Sequence, residues 1–411
     1  MKPAYVRVKY ACYTTSLTMA IICNLSPILF LTFRSLYGIS YSLLGLLVLV
    51  NFTTQLIVDL IFSFFSHKFN IPKIVKNMPV IAVVGMLVYA VWPFMFPDKV
   101  YWGLLVGTII FSASSGFAEV LTSPVIAALP AENPDREMSK LHSMYAWGVV
   151  GMVLFSTVFL TVFGQQNWQW MAILFVLVPL TSSILFAYSE VPKLETTERV
   201  QGAMDLLKNK TLWWCVLAIF IGGASECTMA QWCSGYLEQA LHIPKLWGDI
   251  FGVALFATML GIGRSLYAKV GKNIEKVLFL GAIGATLCYL GATVSSYPII
   301  GLLACGLTGF CVSMLWPGSL VVVSDRIPNS GVFIYAMMAA GGDLGASVGP
   351  QLVGVITDIV MKTESWILLA AEWGMTVEQL GMKCGMLVGM MFSLAGVFVY
   401  FCFVKSKKNL E

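Results

Sequence analysis

Long apolar runs separated by short polar segments fill most of this chain. The runs lack the alternation of apolar and polar positions that is typical of β-strands. Each is long enough for the roughly 20 residues that a helix needs to cross the hydrocarbon core of a bilayer. The pattern therefore predicts an all-α membrane protein with twelve transmembrane helices. The predicted spans are residues 10–33, 39–66, 77–96, 101–129, 138–164, 168–189, 211–240, 248–270, 275–295, 297–324, 331–361 and 381–404.

A polar stretch at 190–210 separates the first six predicted spans from the last six. The two halves also resemble each other weakly, because segment 67–75 after the second span is echoed by segment 268–277 after the eighth. Two six-helix bundles joined by an inner linker are the layout of the major facilitator fold. The predicted domains are an N-terminal bundle at 1–190, a cytoplasmic linker at 191–210 and a C-terminal bundle at 211–411.

Lysine and arginine predict the orientation of these helices. With the N-terminus inside, nineteen of the 25 basic residues fall in inner loops and tails and five fall outside, while Arg264 lies within the eighth span near its inner end. Cytoplasmic loops of membrane proteins carry the excess of basic residues. We therefore expect a multi-pass protein of the cell (inner or plasma) membrane with both termini in the cytoplasm.

Composition agrees with this prediction and excludes other classes of protein. Hydrophobic residues make up 58% of the chain and charged residues 11%, whereas a soluble domain has about 25% charged residues. The net charge of +4 comes from loop residues and does not indicate a nucleic-acid partner. The ten cysteines include no CxxC pair, so we expect neither a disulfide framework nor a metal site. The sequence has no HExxH motif and no filter-like loop, which argues against an enzyme and against a channel. We expect no cofactor and a monomer.

Ionisable residues inside the bilayer are costly and are functional candidates. The strongest is Glu119 in the fourth span, where Ser112, Ser115, Glu119 and Thr122 follow helical spacing and form one polar stripe. Pro124 follows and is able to bend the helix. A carboxyl in a low-dielectric site is able to carry a proton across the membrane. The alternative is a structural carboxyl paired to a neighbouring helix.

The second span has a similar stripe. Asn51, Gln55 and Asp59 follow each other at four-residue steps. Asp59 lies about seven residues, or roughly 10 Å, from the inner end of the span. This depth suits an inner gate or a charge pair as well as a substrate site.

The seventh span carries Glu226, followed by Gln231, Trp232 and Tyr236. A carboxylate and an amide bind hydroxyl groups, and a ring covers the apolar face of a sugar, so this mixture suits a polyhydroxylated ligand. The alternative is a set of polar contacts between helices. Asp343 in the eleventh span lies among glycines with GxxxG spacing, which predict close helix packing. Its side chain is a candidate to face the substrate cavity, and a backbone-capping role is the alternative.

His142 opens the fifth span and is a candidate proton relay, with a structural role as the alternative. Trp147 and Trp316 lie inside spans, away from the interfaces where tryptophan concentrates, and their alternative is packing. The predicted proton-coupling residues are Glu119, Asp59 and His142. The predicted substrate-binding residues are Asn24, Asn51, Gln55, Glu119, Tyr145, Trp147, Glu226, Gln231, Trp232, Trp316 and Asp343.

Several of these segments carry a family resemblance. They are Gly116–Glu119 with Pro124 five residues on, the loop Asn133–Arg136 and the stretch Leu141–Ser143. Together they resemble the branch of sugar:proton symporters in the major facilitator superfamily that contains the L-fucose permease. The resemblance implies that Glu119 takes part in proton and sugar handling. Where that branch has an acidic residue in the first helix, this chain has Cys23–Pro27 without a carboxylate.

These observations predict a secondary active transporter that moves a small polar solute, a sugar or polyol, by alternating access with proton coupling. Its expected partners are the solute, the coupling cation and the lipid bilayer. Two alternatives remain open. One is an exporter of organic anions or amphipathic drugs, and the other is an uncoupled facilitator.

Overall fold

The computed structural model describes residues 3–65, 68–130, 134–192, 207–295, 297–327 and 331–408. Within these ranges the chain forms helices and short connections, with no strand, which confirms the predicted all-α class. Most of the predicted linker at 191–210, the loop residues Ser66 and His67, and Asn133 of the family-like loop lie outside the described residues.

The first six spans are found as helices α1 to α6. Their bounds are Pro3–Ile28 continued by Phe30–Tyr37 (α1), Tyr41–Phe65 (α2), Ile71–Met95 (α3), Val100–Ala127 (α4), Pro134–Phe163 (α5), and Trp168–Phe175 continued by Leu177–Ala187 (α6).

The last six spans are helices α7 to α12. Their bounds are Lys210–Leu241 (α7), Lys245–Gly248 continued through a π-helical turn at Asp249–Ala254 to Leu255–Val270 (α8), Ile274–Val294 (α9), Pro298–Val312 continued by Leu315–Arg326 (α10), Gly331–Lys362 (α11) and Val377–Lys408 (α12).

The structure differs from the predicted spans at one boundary and in one connection. Helix α3 begins at Ile71 and not at 77, because the Asn70 side chain accepts a hydrogen bond from the Lys73 amide and Pro72 stands in the first turn. Both features start helices. The predicted connection between the last two spans contains a further short helix, Glu364–Glu372, which is too short to be recognised as a span.

Two of the helices are broken inside their spans. The two parts of α1 meet at Leu29 with a bend of 43°, close to Pro27, and proline is a common cause of sharp helix kinks. Helix α10 is interrupted at Ser313 and Met314. A break of this kind leaves backbone carbonyls without intrahelical partners.

Within the described residues, eleven helices are long and apolar enough to cross a membrane, or twelve if the bent α1 counts as one span. Many large apolar side chains on these helices remain exposed, among them Leu280 at 64%, Leu287 at 61% and Phe398 at 64%. Such surfaces are stable in contact with lipid and not with water. The chain is a multi-pass membrane protein.

The structure divides into two compact units. Unit 1 comprises Met1–Thr32 and Val50–Gln201, and unit 2 comprises Phe33–Leu49 and Gly202–Glu411. Residues 33–49, which comprise the end of α1, the connection and the start of α2, therefore belong to the second unit.

Glycines set the closest helix packing in unit 2. A methyl group on Gly341 would lie 2.9 Å from Val216 Cγ1, one on Gly345 would overlap the Phe220 carbonyl oxygen, and one on Gly349 would lie 2.9 Å from the Ala224 carbonyl. The three partners follow four-residue steps along α7. This contact confirms the close packing predicted from the GxxxG spacing, because only glycine lets α11 approach α7 to this distance.

Candidate functional site: two polar centres inside the helices

The polar side chains of α2 and α4 meet on one face within unit 1. Asn51 Oδ1 accepts hydrogen bonds from Gln55 Nε2 at 3.0 Å and from Ser112 Oγ at 2.6 Å. Asn51 and Gln55 lie one turn apart on α2, whereas Ser112 belongs to α4, so a single amide oxygen joins the two helices. All three side chains are buried.

A pair of carboxylates lies further along the same two faces. A carboxylate oxygen of Asp59 lies within 4.8 Å of one of Glu119. The Asp59 side chain is 5% exposed, and within the described residues its Oδ1 has no hydrogen-bond partner. Glu119 is exposed. The two stripes that the sequence indicated separately therefore form one acidic centre with a buried and an accessible carboxylate.

A glycine makes this close approach possible. A methyl group on Gly116 would lie 2.9 Å from Val58 Cβ and 3.2 Å from Gln55 Cα. These distances are shorter than van der Waals contact, so α4 is able to lie this close to α2 only because residue 116 has no side chain. Gly116 thus places Glu119, less than one turn further on, opposite the carboxylate of α2.

The remaining predicted residues of unit 1 belong to α1 and α5. Asn24 on α1 donates through Nδ2 to the Ala20 carbonyl of its own helix at 2.8 Å. On α5, His142 and Tyr145 are exposed, and Trp147 is 68% exposed. The predicted roles of these four residues stay predictions.

Unit 2 contains a membrane-embedded ion pair. Arg264 Nη2 on α8 lies 3.2 Å and 3.3 Å from the two carboxylate oxygens of Glu226 on α7, and Arg264 Nε donates to the Ser313 carbonyl at 3.1 Å. Ser313 lies at the break in α10, so the arginine satisfies a carbonyl that the break leaves open. Gly263 permits this contact, because a methyl group there would lie 2.8 Å from Ser313 Cβ and 3.2 Å from the Phe310 carbonyl.

Sequence reasoning named Glu226 but missed its partner. Arg264 was placed near the inner end of its span, where lysine and arginine often extend to the interface. The signal that would have found it is the rarity of an arginine inside an apolar span, which is the same criterion that selected the four carboxylates.

The other predicted residues of unit 2 differ in accessibility. Trp232 is fully buried, and its Nε1 donates to the Pro350 carbonyl at 2.8 Å, so its ring packs inside the unit. Trp316 is half-buried and lies on glycine surfaces of two helices, with ring carbons 3.0 Å and 2.5 Å from methyl positions on Gly223 and Gly342. Gln231 is buried, and within the described residues its Oε1 accepts no hydrogen bond.

Asp343 is also buried, at 3% exposure, and follows the glycine on which the Trp316 ring rests. Contact with solute remains a prediction for each of these residues.

Comparison with known proteins identifies a family and a curated relative that match parts of this chain. The family model described as Major Facilitator Superfamily matches residues 10–350. Among curated proteins, the chain is 26% identical over 203 residues to Bypass of stop codon protein 6 of Saccharomyces cerevisiae. That alignment spans 44% of this chain and 40% of the yeast protein.

Solved structures with the same fold cover nearly the full length. A bacterial homologue of the human lysosomal transporter Spinster matches with a TM-score of 0.76 and 12% identity over 98% of both chains. The nucleoside transporter NupG matches with a TM-score of 0.69 and 11% identity, over 97% of this chain and 99% of that one. The Escherichia coli fucose:proton symporter FucP matches with a TM-score of 0.59 and 15% identity, over 96% and 99%. At these identities the likeness concerns the fold alone.

Proposed function

Because the chain belongs to the major facilitator superfamily of membrane transporters, we propose that it is a secondary active transporter that carries a small polar solute, a sugar or polyol, together with a proton. The observation that carries the proposal is the pair of carboxylates Asp59 and Glu119 in unit 1. We further propose that the protein lies in the cell membrane. In this proposal both termini lie in the cytoplasm, because lysine and arginine are concentrated in the loops on that side.

Electrostatic repulsion between the two carboxylates supports proton binding. Two negative charges within 4.8 Å of each other repel by about 3.5 kcal/mol or more at an effective dielectric constant of about 20. Within the described residues neither carboxylate makes an ion pair that would offset this repulsion. Binding of one proton between them removes it. A group that is stabilised by a proton in one state and exposed to solvent in another is suited to carry that proton through a transport cycle.

The surroundings of the pair support a hydroxylated solute. The amides of Asn51 and Gln55 and the hydroxyl of Ser112 continue the acidic centre along the same face. Amides, hydroxyls and carboxylates offer both donors and acceptors, which is what a hydroxyl-rich ligand requires. One structural neighbour is named as a fucose:proton symporter, which agrees with this class of solute.

The decisive experiment replaces Glu119 with glutamine, which keeps the shape of the side chain and imitates its protonated form. A thermal-shift screen of sugars, organic acids and drugs first supplies the solute, because a ligand that binds the folded state raises its melting temperature. The variant is then compared with wild type in proteoliposomes. Uptake driven by a pH gradient should be lost, while counterflow exchange of solute continues, since the loaded carrier still reorients.

Glu364→Gln is the matched control, because Glu364 is an exposed carboxylate at the start of the short helix between α11 and α12. It should behave as wild type in both assays. If Glu119→Gln concentrates solute as well as wild type does, proton transport by Glu119 is refuted. If the wild type fails to concentrate solute whichever ion gradient is applied, the protein is an uncoupled facilitator. The absence of a carboxylate from Cys23–Pro27 is consistent with that outcome.

A further inference from the structure

Arg264 is a positive charge placed deep in the membrane-spanning part of unit 2. Its guanidinium contacts Glu226, which lies midway along α7, and Ser313, which lies midway along the broken α10. The group therefore lies near the middle of the span and not at the membrane surface. A charged side chain at this depth costs several kcal/mol and is retained where it serves a function.

The contact with Glu226 uses only a part of the guanidinium. A single nitrogen, Nη2, is shared between both carboxylate oxygens at 3.2 Å and 3.3 Å, and Nε is occupied by the Ser313 carbonyl. The strong arrangement for arginine and carboxylate is a fork in which two different nitrogens each donate to one oxygen. Glu226 is therefore not bound in that fork.

One edge of the guanidinium remains available. In the part of the chain that the structure describes, the Nη1 nitrogen makes no hydrogen bond, and 44% of the side-chain surface is exposed, compared with 16% for Glu226. The contacts to Ser313 and Glu226 hold the guanidinium plane in place. The open edge is thus a fixed pair of N–H donors with positive charge.

We infer that the solute carries an anionic oxygen group and that the Nη1 edge of Arg264 binds it. This inference rests on the transport function proposed above and narrows its solute from a neutral sugar or polyol to a hydroxylated acid. A carboxylate or phosphate fits because its two oxygens match the planar spacing of guanidinium donors. Glu226 acts as a positioning residue that holds the guanidinium and partly offsets its charge.

The test measures equilibrium binding to the purified full-length protein without any ion gradient. The probes are matched acid and neutral pairs: D-glucuronate with D-glucose, D-galacturonate with D-galactose, and D-gluconate with sorbitol. Glucose 6-phosphate distinguishes a phosphate from a carboxylate, and sodium chloride controls for ionic strength. At least one acid should raise the melting temperature above the value with its neutral partner.

Substitutions then assign that preference to Arg264. Arg264→Gln should weaken binding of the preferred acid by roughly 10- to 100-fold, since it removes charge-assisted hydrogen bonds, and should leave the neutral partner unaffected. Glu226→Gln should tighten acid binding, because it removes a competing negative charge. Arg7→Gln is the matched control, since Arg7 is an exposed arginine bonded to the Tyr188 carbonyl.

If Arg264→Gln fails to fold, Arg264→Lys and the double variant Glu226→Gln/Arg264→Gln provide the test. The lysine keeps the charge without the planar fork, and the double variant leaves no unpaired carboxylate. The inference is overturned if wild type prefers none of the acids, or if the preference survives the loss of the arginine. Neither result affects the Glu119 experiment, which depends on a pH gradient, so failure of one proposal is distinguishable from failure of the other.

Discussion

Replacing Asp358 with asparagine is expected to release the start of α2. The Asp358 carboxylate accepts hydrogen bonds from the amides of Tyr41 and Ser42 at 3.1 Å and 2.7 Å. The next two amides, of residues 43 and 44, donate to the hydroxyl and the carbonyl of Ser40. The amides of Tyr41, Ser42 and residue 43 lack an intrahelical acceptor, and all three are satisfied by side chains, two of them by one carboxylate of α11.

The cost of the substitution follows from this geometry. Asparagine offers one acceptor oxygen where aspartate offers two, so one amide loses its partner, and the negative charge at the helix N-terminus is lost. A hydrogen bond to a charged group contributes about 1.5–3 kcal/mol, and a charge at a helix N-terminus contributes up to about 2 kcal/mol in a partly buried site. Asp358 is 6% exposed. We expect the free energy of local unfolding at the start of α2 to fall by about 2–3 kcal/mol, which makes the locally unfolded form roughly 30- to 150-fold more populated.

Hydrogen–deuterium exchange measures this effect at the amides concerned. A peptide covering the start of α2 should exchange roughly 30- to 150-fold faster in Asp358→Asn, because exchange reports local opening. Asp325→Asn, at an exposed aspartate near the end of α10, should leave it unchanged. Unchanged exchange in Asp358→Asn would refute the reasoning.

Two further predictions concern stability. Gly345→Ala should lower the melting temperature of the protein, because the added methyl group would overlap the Phe220 carbonyl oxygen. Gly261→Ala should raise the melting temperature slightly, because nothing lies within 4 Å of the added methyl group and alanine favours a helix over glycine. Equal effects at both positions would contradict the packing argument. Hydrogen bonds from Tyr13 and Lys140, together with Lys9, lower the pKa of Glu137 to about 2. The contribution of the Glu137 carboxylate to stability is therefore present above pH about 4.5 and lost as the pH falls towards 2. Over this pH range the melting temperature of wild type should fall more than that of Glu137→Gln. Melting temperatures that fall in parallel for the two proteins would contradict this prediction.

Much of the fold could be predicted from the sequence because each span carries its own signal. Apolar runs of sufficient length predicted every helix from α1 to α12, and the glycine spacing around Gly345 predicted close packing. The sequence did not predict features that depend on a few local contacts. The start of α3 depends on the Asn70 side chain, and the break in α10 at Ser313 is offset by a hydrogen bond from α8.

The candidate site was predictable residue by residue but not as pairs. Helical spacing placed Asp59 and Glu119 on polar faces, yet periodicity within one helix does not tell which other helix it faces. That Glu119 faces Asp59 depends on the close contact of Gly116 with α2. Likewise Arg264 and Glu226 are 38 residues apart, and their contact depends on how α7, α8 and α10 pack.

The two proposed centres are related by their charges. The acidic pair in unit 1 contributes two negative charges to the membrane interior when both carboxylates are ionised, and Arg264 with Glu226 contributes none. A carrier that binds one proton at the pair and one monovalent anion at Arg264 has the same net charge loaded as empty. Without the proton, the loaded carrier would hold one extra negative charge, and moving it into a cell with a negative interior costs about 2.3 kcal/mol per 100 mV. An anionic solute therefore gives the acidic pair a physical reason to bind a proton, since the proton removes the opposition of the membrane potential to uptake.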